Sequence, residues 1–232
     1  MRYTEVFHSM LSLLYPEVCA ACGTGLMRNE KTVCLSCRHL LPKTGYEEQL
    51  DNPLARIFWG RIHFEAVAAT FFFSKQGKIQ HLVHELKYKR NRHAGIFLGE
   101  QMGECFQNEP LFQQIDYLVP VPLHPKRQHQ RGYNQSEVIA QGIRNTFPVP
   151  IAADVLYRAV ATTTQTRKSR QARWENVKHI FAIKNEEKLI GKHILLLDDV
   201  ITTGSTLEAC GQVLKQIPDI KVSVATAACA VS

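Results

Sequence analysis

Two stretches of this chain have residue types and spacings that could do chemistry. Cys19, Cys22, Cys34 and Cys37 form two Cys-x-x-C pairs with eleven residues between them. Each pair bends the backbone so that both sulfurs can face one ion, and two such knuckles complete a tetrahedron. Thiolates favour zinc, and a closed four-sulfur site leaves no coordination position open for catalysis. Disulfides and an iron–sulfur cluster are the competing readings of the same four residues. The other stretch is "ILLLDDVITTGST", Ile194 to Thr206. Four apolar residues run into Asp198 and Asp199, and small hydroxyl residues follow at once.

A strand ending in acids could be the Walker B element of a P-loop ATPase, but the chain contains no G-x-x-x-x-G-K-[ST] loop. An acidic exit turn would leave the hydroxyls unexplained. Thr202, Thr203, Gly204, Ser205 and Thr206 at the opening of a helix make an anion cradle, in which backbone N–H groups and hydroxyls converge on a phosphate. Gly204 removes a side chain that would obstruct the approach. Two carboxylates beside that phosphate would repel a second anion, so they are expected to accept from neutral hydroxyls. A phosphate next to a vicinal diol is a ribose 5-phosphate.

Basic residues gather elsewhere. His124, Lys126, Arg127, His129 and Arg131 follow the short run "IDYLVPV". Arginine forks there would suit a pyrophosphate, and an exposed basic turn accounts for them equally well. Arg167, Lys168, Arg170 and Arg173 lie in a segment, 161–176, whose only core-forming residue is Trp174. That segment reads as a solvated loop, although basic residues around one aromatic would also serve a single-stranded nucleic acid. "HELKYKRNRH" adds Lys87, Lys89, Arg90 and Arg92, with Tyr88 available to stack.

The elements that must position these residues follow from periodicity. "AVAATFFF", "IDYLVPV", "HIFAI", "HILLLD" and "KVSVATAACAV" are strand candidates. "GKIQHLVHELKYKR", "GIFLGEQMGECF", "QSEVIAQGIRNTF" (capped by Asn134 or Ser136) and "STLEACGQVLKQI" have helical spacing. Alternating strands and helices imply an α/β fold with a largely parallel twisted sheet flanked by helices. Val6, Met10, Leu13 and Leu14 suit one face of a short docking helix ahead of the cysteines. Gly45, Pro53 and the polar residues around them put a boundary near residues 45–60. The expected units are 1–55, a helix with a four-cysteine module, and 56–232, the α/β domain.

With 232 residues and 45% hydrophobic composition the chain can bury a sizeable core. Its net charge of +7 favours polyanionic partners. Cys105, Cys210 and Cys229 sit singly in apolar-periodic segments and read as small buried hydrophobes. An odd cysteine count, with neither a secretory signal nor a membrane span, is the pattern of a cytoplasmic protein.

"LLLDDVITTGST" closely resembles the phosphoribosyl pyrophosphate (PRPP) signature of type I phosphoribosyltransferases. The resemblance implies that Asp198 and Asp199 hold the ribose hydroxyls and that Thr202–Thr206 hold the 5′-phosphate. It also implies a magnesium ion bridging the ribose hydroxyls and the pyrophosphate. By the same resemblance Val119–Leu123 matches the pyrophosphate loop, often strained in that family, and the 161–176 segment a loop that closes over PRPP. "VPVPLHPKRQHQRGYNQSEVIA", "TQTRKSRQARWENV" and "LKYKR", behind a four-cysteine module, resemble the ComF family of competence-associated proteins over essentially the whole chain. Two functions follow as expectations. In one, the chain handles single-stranded DNA during uptake, meets other uptake proteins and keeps a PRPP-type site. In the other it is an active phosphoribosyltransferase, with magnesium and Arg127 or Arg131 stabilising the departing pyrophosphate and an unidentified base or amine as acceptor.

Overall fold

The computed structural model describes residues 17–159 and 180–230. The expected docking helix around Val6 and Met10, and the basic segment with Arg167, Lys168, Arg170, Arg173 and Trp174, lie outside the described residues.

The central sheet has four parallel strands in the order β1-β6-β5-β2. They are β1 (Val67–Phe73), β2 (Tyr117–Pro120), β5 (His193–Ile201) and β6 (Lys221–Ala230). Leu156–Arg158 (β3) and Phe181–Ile183 (β4) pair antiparallel as a separate two-stranded sheet. Of the strand expected at "HIFAI", Phe181–Ile183 forms one, but outside the main sheet. β3 is an element that its sequence, with Tyr157 exposed, does not announce.

The near-continuous apolar runs of β5 and β6 are those of strands covered on both faces. Alternate residues divide between two cores. Leu195 and Leu197 face the core that holds α3 (Lys78–Tyr88), α4 (Arg92–Phe106) and α6 (Gln135–Thr146). Ile194 and Leu196 face the other, with α7 (Ser205–Leu214) and with Leu54 and Phe58 from the stretch that begins with α2 (Pro53–Arg56). α4 and α6 approach closely because glycines line the contact: a Cβ on Gly99 would lie 2.1 Å from the Ile139 carbonyl.

The cysteine module leads into the sheet. After α1 (Leu35–His39) the chain runs beside β1, where Thr44 N–H donates to the Thr70 carbonyl at 3.0 Å and Phe72 N–H to that of Pro42 at 2.8 Å. Buried Asn52 caps α2 and donates its amide to the Val67 carbonyl at 2.8 Å. Cys19, Ala21, Val33, Cys37 and Leu41 share one core with α3 and α4. Among the described residues no helix is long and apolar enough to cross a membrane.

Candidate phosphosugar site and four-cysteine cluster

β5 continues through both acids to Ile201, so Asp198 and Asp199 project from the strand itself, near its C-terminal end. The loop after it enters α7, and α5 (Pro125–Arg131) follows the neighbouring strand β2. Acids, hydroxyl loop and basic segment therefore gather at the C-terminal edge of adjacent parallel strands, the usual ligand crevice of open α/β sheets. The "PKRQHQR" stretch is helical rather than an open turn: Pro125 starts it with a preset φ, and His124 Nδ1 accepts from Lys126 N–H at 3.2 Å. Among Val119–Leu123 no residue has positive φ.

The two acids differ. Asp198 Oδ1 accepts from the Ser136 hydroxyl at 3.2 Å and from Asp199 N–H at 2.8 Å. Asp199 Oδ1 accepts from the Lys87 ammonium at 2.8 Å. The Oδ2 oxygen of each accepts nothing from the described residues. Burial first, and then the adjacent Asp199 charge, pushes the Asp198 carboxyl up to about 7. Asn134 caps α6 with its side-chain oxygen, accepting from Ser136 N–H, while its amide donates to the Val121 carbonyl at 2.9 Å. That cap locks Ser136, and so Asp198, to the end of β2.

The hydroxyl loop has the form of a cradle. Residues Thr202–Thr206 line a concavity together with Asp198. The N-cap of α7, Gly204, has no side chain to cap the first turn, where Ser205 N–H has only a long contact, 3.5 Å, to the Thr203 hydroxyl. Thr203 and Ser205 hydroxyls lie 2.8 Å apart. Gly204 is needed for a reason the sequence does not give. Its φ is +73°, and a Cβ there would meet the Phe58 ring at 2.7 Å, a buried group under the loop rather than a ligand above it. Arg61 reaches the same loop, donating to the Thr203 carbonyl at 3.5 Å and pairing with Glu208.

Of the basic candidates, Lys87 has a different place from the one expected. It belongs to the acid pair, not to a solvated nucleic-acid face. Arg131 donates to Gln135 Oε1 at 2.8 Å and lies over the exposed Tyr88 ring, 5.5 Å from its centroid. Arg127 is exposed on α5. Phe58 and Arg61 carry no motif of their own, and only their contacts mark them; Ser136, a cap candidate in the sequence, instead holds Asp198.

In the N-terminal module, Cys19, Cys22, Cys34 and Cys37 bring their sulfurs within 4.8 Å of one another. Cys22 and Cys34 Sγ lie 3.9 Å apart, against about 3.8 Å for two sulfurs bound tetrahedrally at 2.3 Å to one zinc. Cys34 N–H points at Cys19 Sγ (3.3 Å) and Cys37 N–H at Cys34 Sγ (3.4 Å), contacts that favour thiolates. The donor set and spacing fit a metal ion. Cys105, Cys210 and Cys229 lie apart from this cluster, the last two buried and Cys105 half-buried.

A family model for the phosphoribosyl transferase domain matches residues 130–230, which include α6, both acids and the cradle. The chain is 27% identical over 208 residues to DNA utilization protein YhgH of Escherichia coli K12, covering 88% of this chain and 86% of that one. It is 36% identical over 103 residues to Competence protein F of Haemophilus influenzae, covering 43% and 44%. With Competence protein ComFC of Bacillus subtilis it shares 31% over 97 residues, covering 42% and 37%. The parallel sheet, the acid pair beside its hydroxyl loop and the four-cysteine cluster stand with these similarities in support of a ComF-family protein with a phosphoribosyl transferase domain.

Proposed function

We propose that this chain is a ComF-like protein of DNA uptake that handles single-stranded DNA and carries a PRPP-binding site. The observation that carries the PRPP reading is one arrangement: Asp198 and Asp199, each with a second carboxylate oxygen that accepts nothing among the described residues, beside the Thr202–Thr206 loop that opens α7. A 5′-phosphate would accept from Thr202–Thr206, whose N–H groups and hydroxyls are donors, and the ribose diol would donate to the acids. Asp198, with its raised proton affinity, limits the negative charge next to that phosphate. Arg127 and Arg131 would meet the pyrophosphate, and magnesium arriving with PRPP would offset its charge. One zinc ion would be held by Cys19, Cys22, Cys34 and Cys37, as a structural staple for a segment with little core of its own. The module and the phosphoribosyltransferase unit are taken to divide near residue 55.

The DNA reading draws on the names of the relatives and on the net charge of +7. The contacts are assigned to Arg167, Lys168, Arg170 and Arg173, with Trp174 as a stacking residue and other DNA-uptake proteins as partners. PRPP with magnesium should bind wild type and lose at least about tenfold in affinity to the double variant Asp198→Asn/Asp199→Asn, since hydrogen bonds to charged groups contribute about 1.5–3 kcal/mol each. Equal binding by calorimetry would refute the site assignment. In parallel, replacing the four basic residues with Ala should reduce the slope of log affinity for single-stranded DNA against log salt by up to about three. An unchanged slope would remove that loop as the DNA contact.

A further inference from the structure

Where α3 ends, α4 begins and α5 closes, side chains from all three meet at the surface. The Tyr88 ring, 66% exposed, lies 4.9 Å from the His84 ring and 5.5 Å from the Arg131 guanidinium. Arg90 donates to the Gln130 carbonyl at 3.4 Å. Arg92 lies over the Tyr133 ring, 5.4 Å from its centroid, and donates to Gln141 Oε1 at 3.4 Å. The Tyr133 hydroxyl donates to the Leu86 carbonyl at 2.5 Å, which ties the chain after α5 to the last turn of α3.

These arginines are held without being neutralised. Arg38, Arg56 and Arg61 each pair with a carboxylate, and Lys89 beside the patch pairs with Glu85 at 2.8 Å. Among the described residues Arg90, Arg92 and Arg131 have no carboxylate partner, and neutral oxygens and ring faces hold them instead. Two of them also stand where the local backbone disfavours them. Arg90 has φ +56°, in the left-handed position after a helix that glycine fits best. Arg92 opens α4, where the helix dipole opposes a cation. Local rules set aside in this way are expected at functional positions. An exposed ring among cations that nothing neutralises suits a nucleic-acid strand with unpaired bases. One base stacks on the ring, and flanking phosphates accept from the guanidinium groups. In a duplex the bases are already stacked on each other.

We propose that Tyr88, Arg90 and Arg92 form a contact surface for single-stranded DNA, with Tyr88 as the stacking platform and the two arginines on the phosphates. The inference rests on the DNA reading above and deepens it, since that reading assigns its contacts to the 161–176 segment alone. His84 and Arg131 flank the Tyr88 ring, and Tyr133 lies under Arg92, so helix ends packed on the core carry the whole surface. Stacking and phosphate contacts carry no sequence information, so strands of different sequence bind alike.

The test measures fluorescence anisotropy of a labelled thymidine oligonucleotide with the full chain across a salt series. Tyr88→Ala should lose about fivefold or more in affinity with the salt slope unchanged. Tyr88→Phe keeps the ring and should bind as wild type does. Arg90→Gly and Arg92→Gln should each reduce the slope of log affinity against log salt by about 0.7. Arg90→Gly also separates contact from folding. Glycine relieves the left-handed backbone, so this variant should melt no lower than wild type while binding DNA more weakly. Wild-type affinity and slope in Tyr88→Ala, Arg90→Gly and Arg92→Gln would overturn the proposal, and so would equal losses for Tyr88→Phe and Tyr88→Ala. If wild type binds the strand and only replacement of Arg167, Lys168, Arg170 and Arg173 weakens it, this surface is overturned and the DNA reading stands. A wild type that binds no single strand sinks the DNA reading and this surface with it.

Discussion

At the scale of single residues, the site costs the fold stability. Asp198 has its carboxyl raised to about 7 by burial and by Asp199, well above its value in an unfolded chain. A raised folded pKa means that the native state holds the proton more tightly. Its contribution is therefore fully present below the unfolded pKa and is lost as pH rises through about 7. Asp198→Asn should remove that loss, because an amide oxygen still accepts from Ser136 and Asp199 N–H. Relative to wild type, the variant should melt higher at pH 8, on the order of a few degrees, with a smaller or absent gain at pH 5. Thermal melts of both proteins at the two pH values check this, and a gain independent of pH would contradict it. The motif makes Asp198 visible in the sequence. Its proton affinity is not visible there, because it depends first on the burial of β5's end, with Lys87 and Ser136, the latter 62 positions away, only pulling it back.

The elements around the cradle show a division of labour that the motif alone conceals. Gly204 belongs to the "TTGST" run, yet its constraint comes from Phe58, in a stretch with no recognisable chemistry. Gly204→Ala would put a side chain at φ +73° and drive its Cβ against that ring. Left-handed backbone costs about 1–2 kcal/mol for an L-residue, and overpacking about 1–3 kcal/mol more. The variant should therefore lose about 2 kcal/mol or more in urea unfolding and bind phosphate more weakly. Adding Phe58→Leu should recover the packing part but not the backbone part. A Gly204→Ala protein as stable as wild type would show that the loop has room to move. The helix α3 is similar: its apolar periodicity places Ile79, Leu82, Val83 and Leu86 in the core. Which of its lysines meets an acid depends on where β5 ends.

At the scale of the whole molecule, the four cysteines and the sheet are joined through α3 and α4. Cys19 and Cys37 share a core with Leu82, Phe97 and Leu98, Arg38 pairs with Glu104 at 3.0 Å, and the chain beyond α1 runs along the edge strand β1. Removing a bound metal should therefore lower the melting temperature of the chain as a unit, not release a separately melting module. Calorimetry before and after treatment with a strong chelator, with the released metal titrated, checks this. A main transition unmoved by complete metal loss would mean that the cysteine module contributes nothing to the larger core.

The sequence by itself determined what depends on short-range pattern. Cysteine spacing gives two knuckles, the acid–hydroxyl run gives a strand, a cradle and a helix, and apolar periodicity gives strands alternating with helices. Tertiary structure alone decided what depends on contacts between distant segments. Lys87 lies 112 positions from Asp199, and nothing in "HELKYKR" distinguishes it from the solvated Lys89 two residues on. β3 and β4 are three residues each, too short to carry a period. Phe58 reads as an ordinary core aromatic until the left-handed turn at Gly204 is placed on it. Periodicity records which face of an element is buried, but the partner on that face is set only when the parallel strands align and bring their C-terminal ends together.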